Sequence, residues 1–546
     1  MTSRVSSPLH RLAPTWLAIL LITAGCTDRF SARAETGADA PRYGGTVVIA
    51  GDADLDHMNS LVSTQAFAQE FIRFALFLPL VQYDEKLELE PRLAESFELL
   101  GDTGVIFRLR RNVRWHDGRP TTAYDVEFTY SRIKDPATGF PNSEYFSHWT
   151  GVEVIDSFTV RFSFEPHAEP LTGLPFTPIM PRHLLDTVPP AQMRNARFNK
   201  EPVGNGPFRF VSYRANDRWV FEANEDFPKE LGGRPYVDRL VWRVVPENAA
   251  QLAEVMSGQV DLAVAVLADQ ILELNGRPGL RALVRPSRSF VFVGWNGLNP
   301  LLADPRVRRA LAMAIDRQGI VDGLRGGFGT LASSPIAPHH WAYAEDVPPL
   351  PHDPEGARAL LAEAGFVDRD GDGVLESPTG QPFQISLKYT AGLSFQRDIA
   401  EMIRAGLAGV GVRVVPRPVE FNTLVSQISR PARDFDAVLM GWESDFRINL
   451  ADKFHSASLG GPYQIASYSN PEFDALLDSV ARIQDRAQAL PIWRRVQEIL
   501  REQQPWTVLY YYPALYVARD RLRGTRMDIR GAFVGLSGWW VADVAP

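Results

Sequence analysis

Residues 91–132 read PRLAESFELLGDTGVIFRLRRNVRWHDGRPTTAYDVEFTYSR, a stretch in which a strand pattern and turn residues follow one another closely. Within it, VIFRLR (105–110) alternates apolar and polar side chains, and this period of two indicates a half-buried strand. Asp117-Gly118 predicts a tight turn after that strand. Strand and turn patterns of the same kind occur before and after residues 91–132.

Strands and helices alternate along the rest of the chain. Three helices are predicted to begin with an Asp or Asn cap and a proline at the first helical position, at Asp304-Pro305, Asp353-Pro354 and Asn470-Pro471. Apolar and β-branched runs predict strands at 44–51, 159–164, 208–213, 219–223, 240–245, 290–294, 384–389, 412–416, 437–441 and 507–511. This alternation indicates an α/β protein.

The composition is that of an ordinary globular protein. The chain has 546 residues, of which 45% are apolar and 22% charged, and these values exclude disordered, collagen-like and coiled-coil classes. Its length exceeds what one core usually fills. A net charge of −8 argues against nucleic acid as a partner. A single cysteine excludes intrachain disulfides and multi-cysteine zinc sites.

That cysteine follows a short apolar segment near the N-terminus. Residues 16–22 are apolar, and this run is far shorter than the roughly 20 residues that a membrane-spanning helix needs. Residues 1–25 are therefore predicted to be a signal peptide. The small residues before Cys26 resemble a bacterial lipobox, in which the thiol is diacylated, although Thr23 stands where that motif usually has Leu. An ordinary signal peptide with an incidental cysteine is the alternative.

Residues 26–43 are small and polar, and they are predicted to form a flexible tether. With a lipid on Cys26, the body of the protein is expected to be periplasmic or extracytoplasmic and anchored to the membrane. Because the rest of the chain has no cysteine, its fold would not depend on the redox state of that compartment.

Motifs for catalysis are absent from the sequence. No nucleophile elbow, zinc-binding H-E-x-x-H helix, phosphate-binding loop or dinucleotide fingerprint occurs. His339 and His340 are adjacent and therefore lack the spacing of a metal-binding pair. The chain is expected not to be an enzyme and to need no cofactor, apart from the following calcium-like segment.

The segment DRDGDG (368–373) has the spacing of a calcium loop. Carboxylates at positions 1, 3 and 5 converge in such loops, and a glycine at position 6 permits the sharp turn. Position 12 is Thr379 instead of the usual bidentate Glu, so only a weak structural Ca²⁺ site is predicted. An acidic turn held by bonds between Asp side chains and the backbone is the alternative. The predicted ligands are Asp368, Asp370, Asp372 and Glu376.

The stretch at 91–132 also resembles the signature of the family 5 extracytoplasmic solute-binding proteins, the dipeptide, oligopeptide and nickel-binding receptors of ABC transporters. That family shows P-x-L-A-x-S-W, then an F-x-L-R strand and F-H-D-G-x-P-x-T-A-x-D-V. Phe97 and Trp115 replace the usual aromatic residues here. Further similar segments follow in order: MPRHLL (180–185), GNGPFRF (204–210), VMSGQVD (255–261), DPRVRRALAMAIDR (304–317), GWESD (441–445) and ASYSNPEFDALLDSV (466–480).

The resemblance implies a two-lobed periplasmic-binding-protein fold of type II, with an extra subdomain in the first lobe. Lobe I is expected to hold residues 44–290, with the subdomain at about 60–200, and the C-terminal residues 513–546. Lobe II is expected at 291–512, with crossings at 290–296 and 510–513. The protein is expected to act as a monomer that closes on its ligand and docks on the permease subunits of a transporter.

The resemblance also implies where a ligand binds. In peptide-binding relatives the aspartate of G-W-x-x-D holds the ligand's ammonium group and the tryptophan packs beside it; these are Asp445 and Trp442 here. Asp445 as a loop acid that caps the next turn is the alternative. Arg447 either binds a ligand carboxylate or pairs with Asp445 and blocks ammonium capture. Asn59, Trp295 and Asn296 are further candidates near the lobe junction.

A receptor for peptide import is the leading interpretation. A receptor for a metal chelate, an oligosaccharide or another small solute belongs to the same class of function. An extracytoplasmic hydrolase, or a signalling or chaperone adaptor that binds no ligand, would be a different class.

Overall fold

Two separate β-sheets organise the part of the chain that the computed structural model describes, residues 40–274, 276–429 and 431–542. The predicted signal peptide (1–25) and residues 26–39 of the predicted tether, which include Cys26, lie outside the described residues. Among the helices of the described ranges, none combines the length and the apolar character that crossing a membrane requires.

The strands are β1 Thr46–Gly51, β2 Val81–Tyr83, β3 Leu89–Pro91, β4 Ala94–Leu99, β5 Gly104–Leu109, β6 Trp149–Asp156, β7 Thr159–Phe164, β8 Phe208–Arg214, β9 Arg218–Ala223, β10 Arg239–Val244, β11 Leu262–Ala263, β12 Leu280–Arg285, β13 Ser289–Trp295, β14 Gln384–Thr390, β15 Arg413–Val419, β16 Ala437–Glu443, β17 Trp506–Tyr511, β18 Ala514–Arg519, β19 Leu522–Arg523 and β20 Trp540–Val541.

The α-helices are α1 Ala66–Phe71, α2 Ala123–Lys134, α3 Arg182–Leu185, α4 Asn248–Ser257, α5 Ala268–Leu274, α6 Pro305–Ala314, α7 Arg317–Arg325, α8 Pro354–Glu363, α9 Ser394–Ala408, α10 Phe421–Ile428, α11 Ala451–Phe454, α12 Pro471–Val480 and α13 Arg486–Gln503. A π-helical turn, Ile72–Leu76, continues α1.

The first sheet joins the two ends of the described chain. Its order is β12-β18-β11-β1-β10-β9-β8, in which β1 runs parallel to both β10 and β11. The late strand β18 lies between β11 and β12 and is antiparallel to both. The C-terminal part of the chain therefore returns to the lobe in which the described chain begins.

The second sheet has the order β15-β14-β16-β13-β17 and belongs to the other lobe. Side chains of β13 alternate between two cores: Val291 and Val293 pack into one apolar cluster, and Phe290 and Phe292 into the other. Because both faces of the sheet are covered, its strands read as nearly continuous apolar runs.

A four-stranded antiparallel sheet, β4-β5-β7-β6, and the β2-β3 hairpin are inserted along the chain between β1 and β8 of the first sheet, inside the range 60–200. In β5 the buried side chains of Val105, Phe107 and Leu109 alternate with the less buried Ile106 and the exposed Arg108. The predicted half-buried strand at 105–110 is thus confirmed to within a residue at each end.

The motif H-D-G contacts the motif G-N-G-P far along the chain. His116 Nδ1 accepts a hydrogen bond from the Gly204 amide at 3.2 Å, and its Nε2 donates to the Gly206 carbonyl at 3.0 Å. Burial lowers the pKa of His116 to about 4, so the ring is neutral at pH 7. A Cβ atom on Gly204 would lie 2.0 Å from the Leu76 carbonyl oxygen. Glycine is required there because the backbone at Leu76 approaches Gly204 so closely.

The lobes are joined by two short crossings. Residues 286–288 connect β12 of the first sheet to β13 of the second, and residues 512–513 connect β17 to β18. The predicted first crossing at 290–296 is wrong, because residues 290–295 form a strand inside the second sheet. Residues 290–295 form an apolar run that is long enough for a buried strand. The crossing itself is the segment 286–288, which comes directly before that strand.

The three predicted helix starts are confirmed. Asp304, Asp353 and Asn470 are the N-caps of α6, α8 and α12, and each side chain accepts a backbone N–H bond from the first turn.

Candidate functional site

The segment 444–450 lies where the two lobes meet. It follows β16, whose last residue, Glu443, pairs with Ser289 next to the first crossing. The Ser444 amide donates to the Arg288 carbonyl at 3.0 Å, which fixes the start of the segment on the crossing itself. The segment therefore leaves the second sheet beside the first crossing between the lobes.

Phe446 from this segment packs against lobe I. Its ring lies 4.7 Å from the ring of Phe176 and 6.0 Å from that of Tyr83, both in the extra subdomain. The Arg288 guanidinium covers the same ring at 3.8 Å. Only 8% of Phe446 is exposed, so this side chain forms an apolar contact between the lobes.

A second set of contacts joins the lobes beside α12 and α13. The Ala168 amide donates to the Ala481 carbonyl at 3.0 Å. Arg486 donates to the Leu87 carbonyl at 3.1 Å and lies 3.7 Å from the Glu169 carboxylate. The structure is therefore a closed form with a cleft between the contacts.

Two neighbouring pockets lie beside this segment and share the wall formed by residues 447–450. The first is lined by Phe290, Pro335, Ile336, Ala337, His340, Trp442, Ser444, Asp445, Arg447, Ile448, Asn449, Leu450 and Lys453. The second, with a cavity volume of about 160 Å³, is lined by residues of both lobes, among them Glu169 of lobe I and Trp341 and Trp493 of lobe II.

Asp445 points a carboxylate into the first pocket. The residue is exposed to the cleft. The surrounding protein partly removes the carboxyl from water, and this raises its pKa above the ordinary 3.8. The Lys453 and Arg288 charges act in the opposite direction. Among the described residues, none forms a hydrogen bond or an ion pair with this carboxylate. The cleft thus contains an acidic group that is available to a cationic ligand.

Arg447 does not pair with Asp445. Its guanidinium lies over the Tyr145 ring, 5.2 Å from the ring centre, and the residue lines both pockets. Among the described residues the predicted blocking ion pair is not formed, although the Arg447 charge acts to lower the pKa of Asp445; both predicted roles of Arg447 stay predictions. A guanidinium in the cleft is suited to binding a carboxylate.

Trp442 lines the first pocket, as predicted for the residue beside the aspartate. Its ring packs edge-on against Tyr463 at 5.6 Å, and the Lys453 ammonium lies 5.3 Å from its centre. Lys453 is 5% exposed and is held by Asp452 at 2.9 Å. Sequence reasoning missed Lys453, since nothing in its neighbourhood distinguishes it from a surface lysine.

Asn59, Trp295 and Asn296 do not reach the cleft, and the predicted binding role of each is corrected. Asn59 is fully buried and donates to Asn199 at 3.0 Å. Trp295 is also fully buried and donates to Thr507 at 2.9 Å. Asn296 donates to the Phe435 carbonyl at 2.7 Å. All three hold the fold together because their polar groups are used inside a lobe.

The acidic loop at 368–373 lies away from the cleft, on the surface of lobe II. Ligand atoms of Asp368, Asp370, Asp372 and Glu376 lie within 4.8 Å of one another. Bonds from backbone amides already hold each of these carboxylates, as the acidic-turn alternative requires. The donor set suits Ca²⁺, but the weak calcium site stays a prediction of the sequence.

The comparison with known proteins agrees with this architecture. The family model of the bacterial extracellular solute-binding proteins, family 5 (middle), matches residues 88–454. The chain is similar to the oligopeptide-binding protein AppA of Bacillus subtilis, with 32% identity over 533 residues, 96% of this chain and 97% of that protein. It is 27% identical over 560 residues to heme-binding protein A of Haemophilus influenzae, covering 96% and 98% of the two chains.

A solved structure extends the likeness to three dimensions. The structure of AppA from Bacillus subtilis in complex with a nonapeptide matches with a TM-score of 0.73 and 31% identity over 92% of this chain and 100% of that one. The predicted α/β fold of periplasmic-binding-protein type II, with two lobes and an extra subdomain, is confirmed. The chain belongs to the bacterial extracellular solute-binding proteins of family 5.

Proposed function

We propose that this chain is the peptide-binding component of an ABC transporter, a monomer that closes on a peptide and delivers it to membrane permease subunits. The observation that carries the proposal is the Asp445 carboxylate, which lies in the cleft between the lobes without a partner among the described residues. AppA, whose solved structure holds a nonapeptide, resembles this chain over nearly its whole length and supports the same class of ligand.

A peptide with a free amino terminus supplies a cation that can bind Asp445 directly. Enclosing a free α-ammonium group between two lobes costs several kcal/mol unless a carboxylate compensates it. Asp445 provides that compensation, because neither Arg447 nor another described residue forms a hydrogen bond or an ion pair with its carboxylate. The Arg447 guanidinium can receive a carboxylate of the same ligand.

Closure then follows from where these groups lie. Asp445 is joined directly to Phe446, which packs on Tyr83 and Phe176 of lobe I. A ligand that contacts both lobes has a higher affinity for the closed form, and it shifts the equilibrium by that difference alone. The protein binds its ligand by this account and performs no catalysis.

The ligand that copurifies with the protein tests the proposal. The protein is purified from its native host under mild conditions, and the ligand is released by denaturation and identified by mass spectrometry. Peptides with free amino termini are the expected result. Recovery of haem, a nickel chelate or sugars alone would contradict it, and turnover of added peptides by the purified chain would favour the hydrolase instead.

We include membrane anchoring through Cys26 in the proposal. Substituting Cys26→Ser removes the thiol that carries the lipid, so the protein is expected to move from the membrane fraction to the soluble extracytoplasmic fraction. Cell fractionation followed by immunoblotting measures this, and Ser31→Ala in the tether is the matched control. An unchanged distribution of the Cys26→Ser protein would show that the cysteine is incidental.

A further inference from the structure

The second pocket has a largely apolar wall on its lobe II side and adjoins the pocket that contains Asp445. Its walls are continuous with an apolar cluster of lobe II, which supplies Leu450, Leu477, Val480, Ala489 and Trp493. The cavity volume is about 160 Å³, and an apolar cavity of roughly 150 Å³ is large enough to hold benzene. The pocket therefore has the size and lining for one large apolar side chain.

Charged groups at this pocket are already engaged with the protein. Arg486 contacts the Glu169 carboxylate at 3.7 Å and the Leu87 carbonyl at 3.1 Å, and its guanidinium lies over the Trp341 ring at 5.0 Å. His167 accepts a hydrogen bond from the Glu169 amide at Nδ1. The remaining cation, Arg447, disfavours a positively charged side chain in the pocket.

The position of the pocket identifies which residue of a peptide enters it. The α-ammonium group and the side chain of a peptide's first residue are both attached to one α-carbon, so they need adjacent sites. The pocket of Asp445 and the apolar pocket share the wall of residues 447–450 and satisfy that need. On the basis of the proposed function, we infer that this protein selects peptides whose first residue has a large apolar or aromatic side chain.

The test compares peptides that differ only in the position of phenylalanine. Protein freed of its copurified ligand is titrated calorimetrically with Ala-Ala-Ala, Phe-Ala-Ala, Ala-Phe-Ala, Ala-Ala-Phe and Lys-Ala-Ala, and with nonapeptides that begin with Phe, Ala or Lys. Burial of a phenylalanine side chain contributes about 1.5–3 kcal/mol, and 1.4 kcal/mol is about tenfold in Kd. Phenylalanine at the first position is expected to lower Kd about 10- to 100-fold, and lysine is expected to give no gain.

Ala451 allows the pocket to be filled without disturbing the core, because it is exposed and lines the pocket at the start of α11. The Ala451→Phe variant is expected to lose the preference for a first phenylalanine, so that its Kd values for Phe-Ala-Ala and Ala-Ala-Ala become nearly equal. Ala475→Phe, on the exposed side of α12, is the matched control. Ile483→Asn, which makes the wall polar from a half-buried position, is a second variant should the first misfold.

The outcomes separate the two proposals. Equal affinity for peptides that begin with Phe and Ala overturns the side-chain preference and leaves peptide binding intact. A preference that persists in both Ala451→Phe and Ile483→Asn also overturns the assignment to this pocket. Failure of the wild-type protein to bind any of the peptides contradicts the proposed function itself.

Discussion

Substitution of Asp445→Asn is expected to weaken the binding of peptides with a free amino terminus about 30- to 150-fold and to leave N-acetylated peptides nearly unaffected. Removing one partner of an enclosed charge pair costs about 2–3 kcal/mol at the lower end of measured values, and 1.4 kcal/mol is about tenfold in Kd. Asparagine keeps the shape of the side chain, so the change isolates the charge. Calorimetric Kd values for matched free and acetylated peptides measure the difference.

Asp398→Asn is the matched control for this experiment. Asp398 lies on α9 of the same lobe, pairs with Arg397 at 2.9 Å and loses the same charge on substitution. An equal loss of affinity for free and acetylated peptides would remove Asp445 from the role of ammonium partner. If Asp398→Asn weakened peptide binding as much as Asp445→Asn does, the change in net charge would be the cause, and Asp445 would again lose the role of ammonium partner.

The raised pKa of Asp445 gives this prediction a second, independent measurement. Its pKa in the folded protein lies above that in the unfolded chain, so the stability contributed by the neutral form is present at low pH and is lost as pH rises through the raised pKa. At pH 7 the ionised carboxylate therefore destabilises the ligand-free protein. Asp445→Asn is expected to raise its melting temperature, and peptide affinity of the wild type should fall as pH drops through the raised pKa.

The fold was predictable because its signals are local. Capping pairs such as Asp304-Pro305 act within a single turn of helix, and the alternation at 105–110 reports burial directly. The family motifs add contacts between distant segments: Asp125, for example, accepts bonds from the Thr122 and Arg182 amides and joins α2 to α3. Such motifs preserve the fold, so they identify the family more surely than the ligand.

The site was predictable only at its motif. Asp445 and Trp442 follow from G-W-x-x-D, and both line the first pocket. Trp295 and Asn296 were expected from their nearness to the crossing, but the period of two along β13 turns Trp295 into the core. Glu169 and Trp341 reach the second pocket from loops of different lobes. Their convergence depends on how the lobes close, which no local pattern in the sequence records.

The Phe446 contact between the lobes leads to a prediction of the opposite kind, in which the chemistry of the ligand does not matter. Phe446 is 8% exposed and packs on Phe176 and Tyr83, and these contacts exist only when the lobes are together. Removing a buried phenyl ring costs about 1.5–3 kcal/mol. Phe446→Ala is therefore expected to weaken the binding of free and acetylated peptides alike, with a rise in Kd of about 10- to 100-fold.

Small-angle X-ray scattering shows whether that loss comes from opening of the lobes. The ligand-free Phe446→Ala protein is expected to have a larger radius of gyration than the wild type, and saturating peptide should restore the compact value, since the ligand still favours the closed form. Phe421→Ala removes the same ring from an exposed site on α10 of lobe II and should change neither quantity. If Phe446→Ala weakened the binding only of peptides with a free amino terminus, the side chain would act on the ammonium site. If it changed no affinity, closure would depend on the contacts of Arg486 and Ala481 instead.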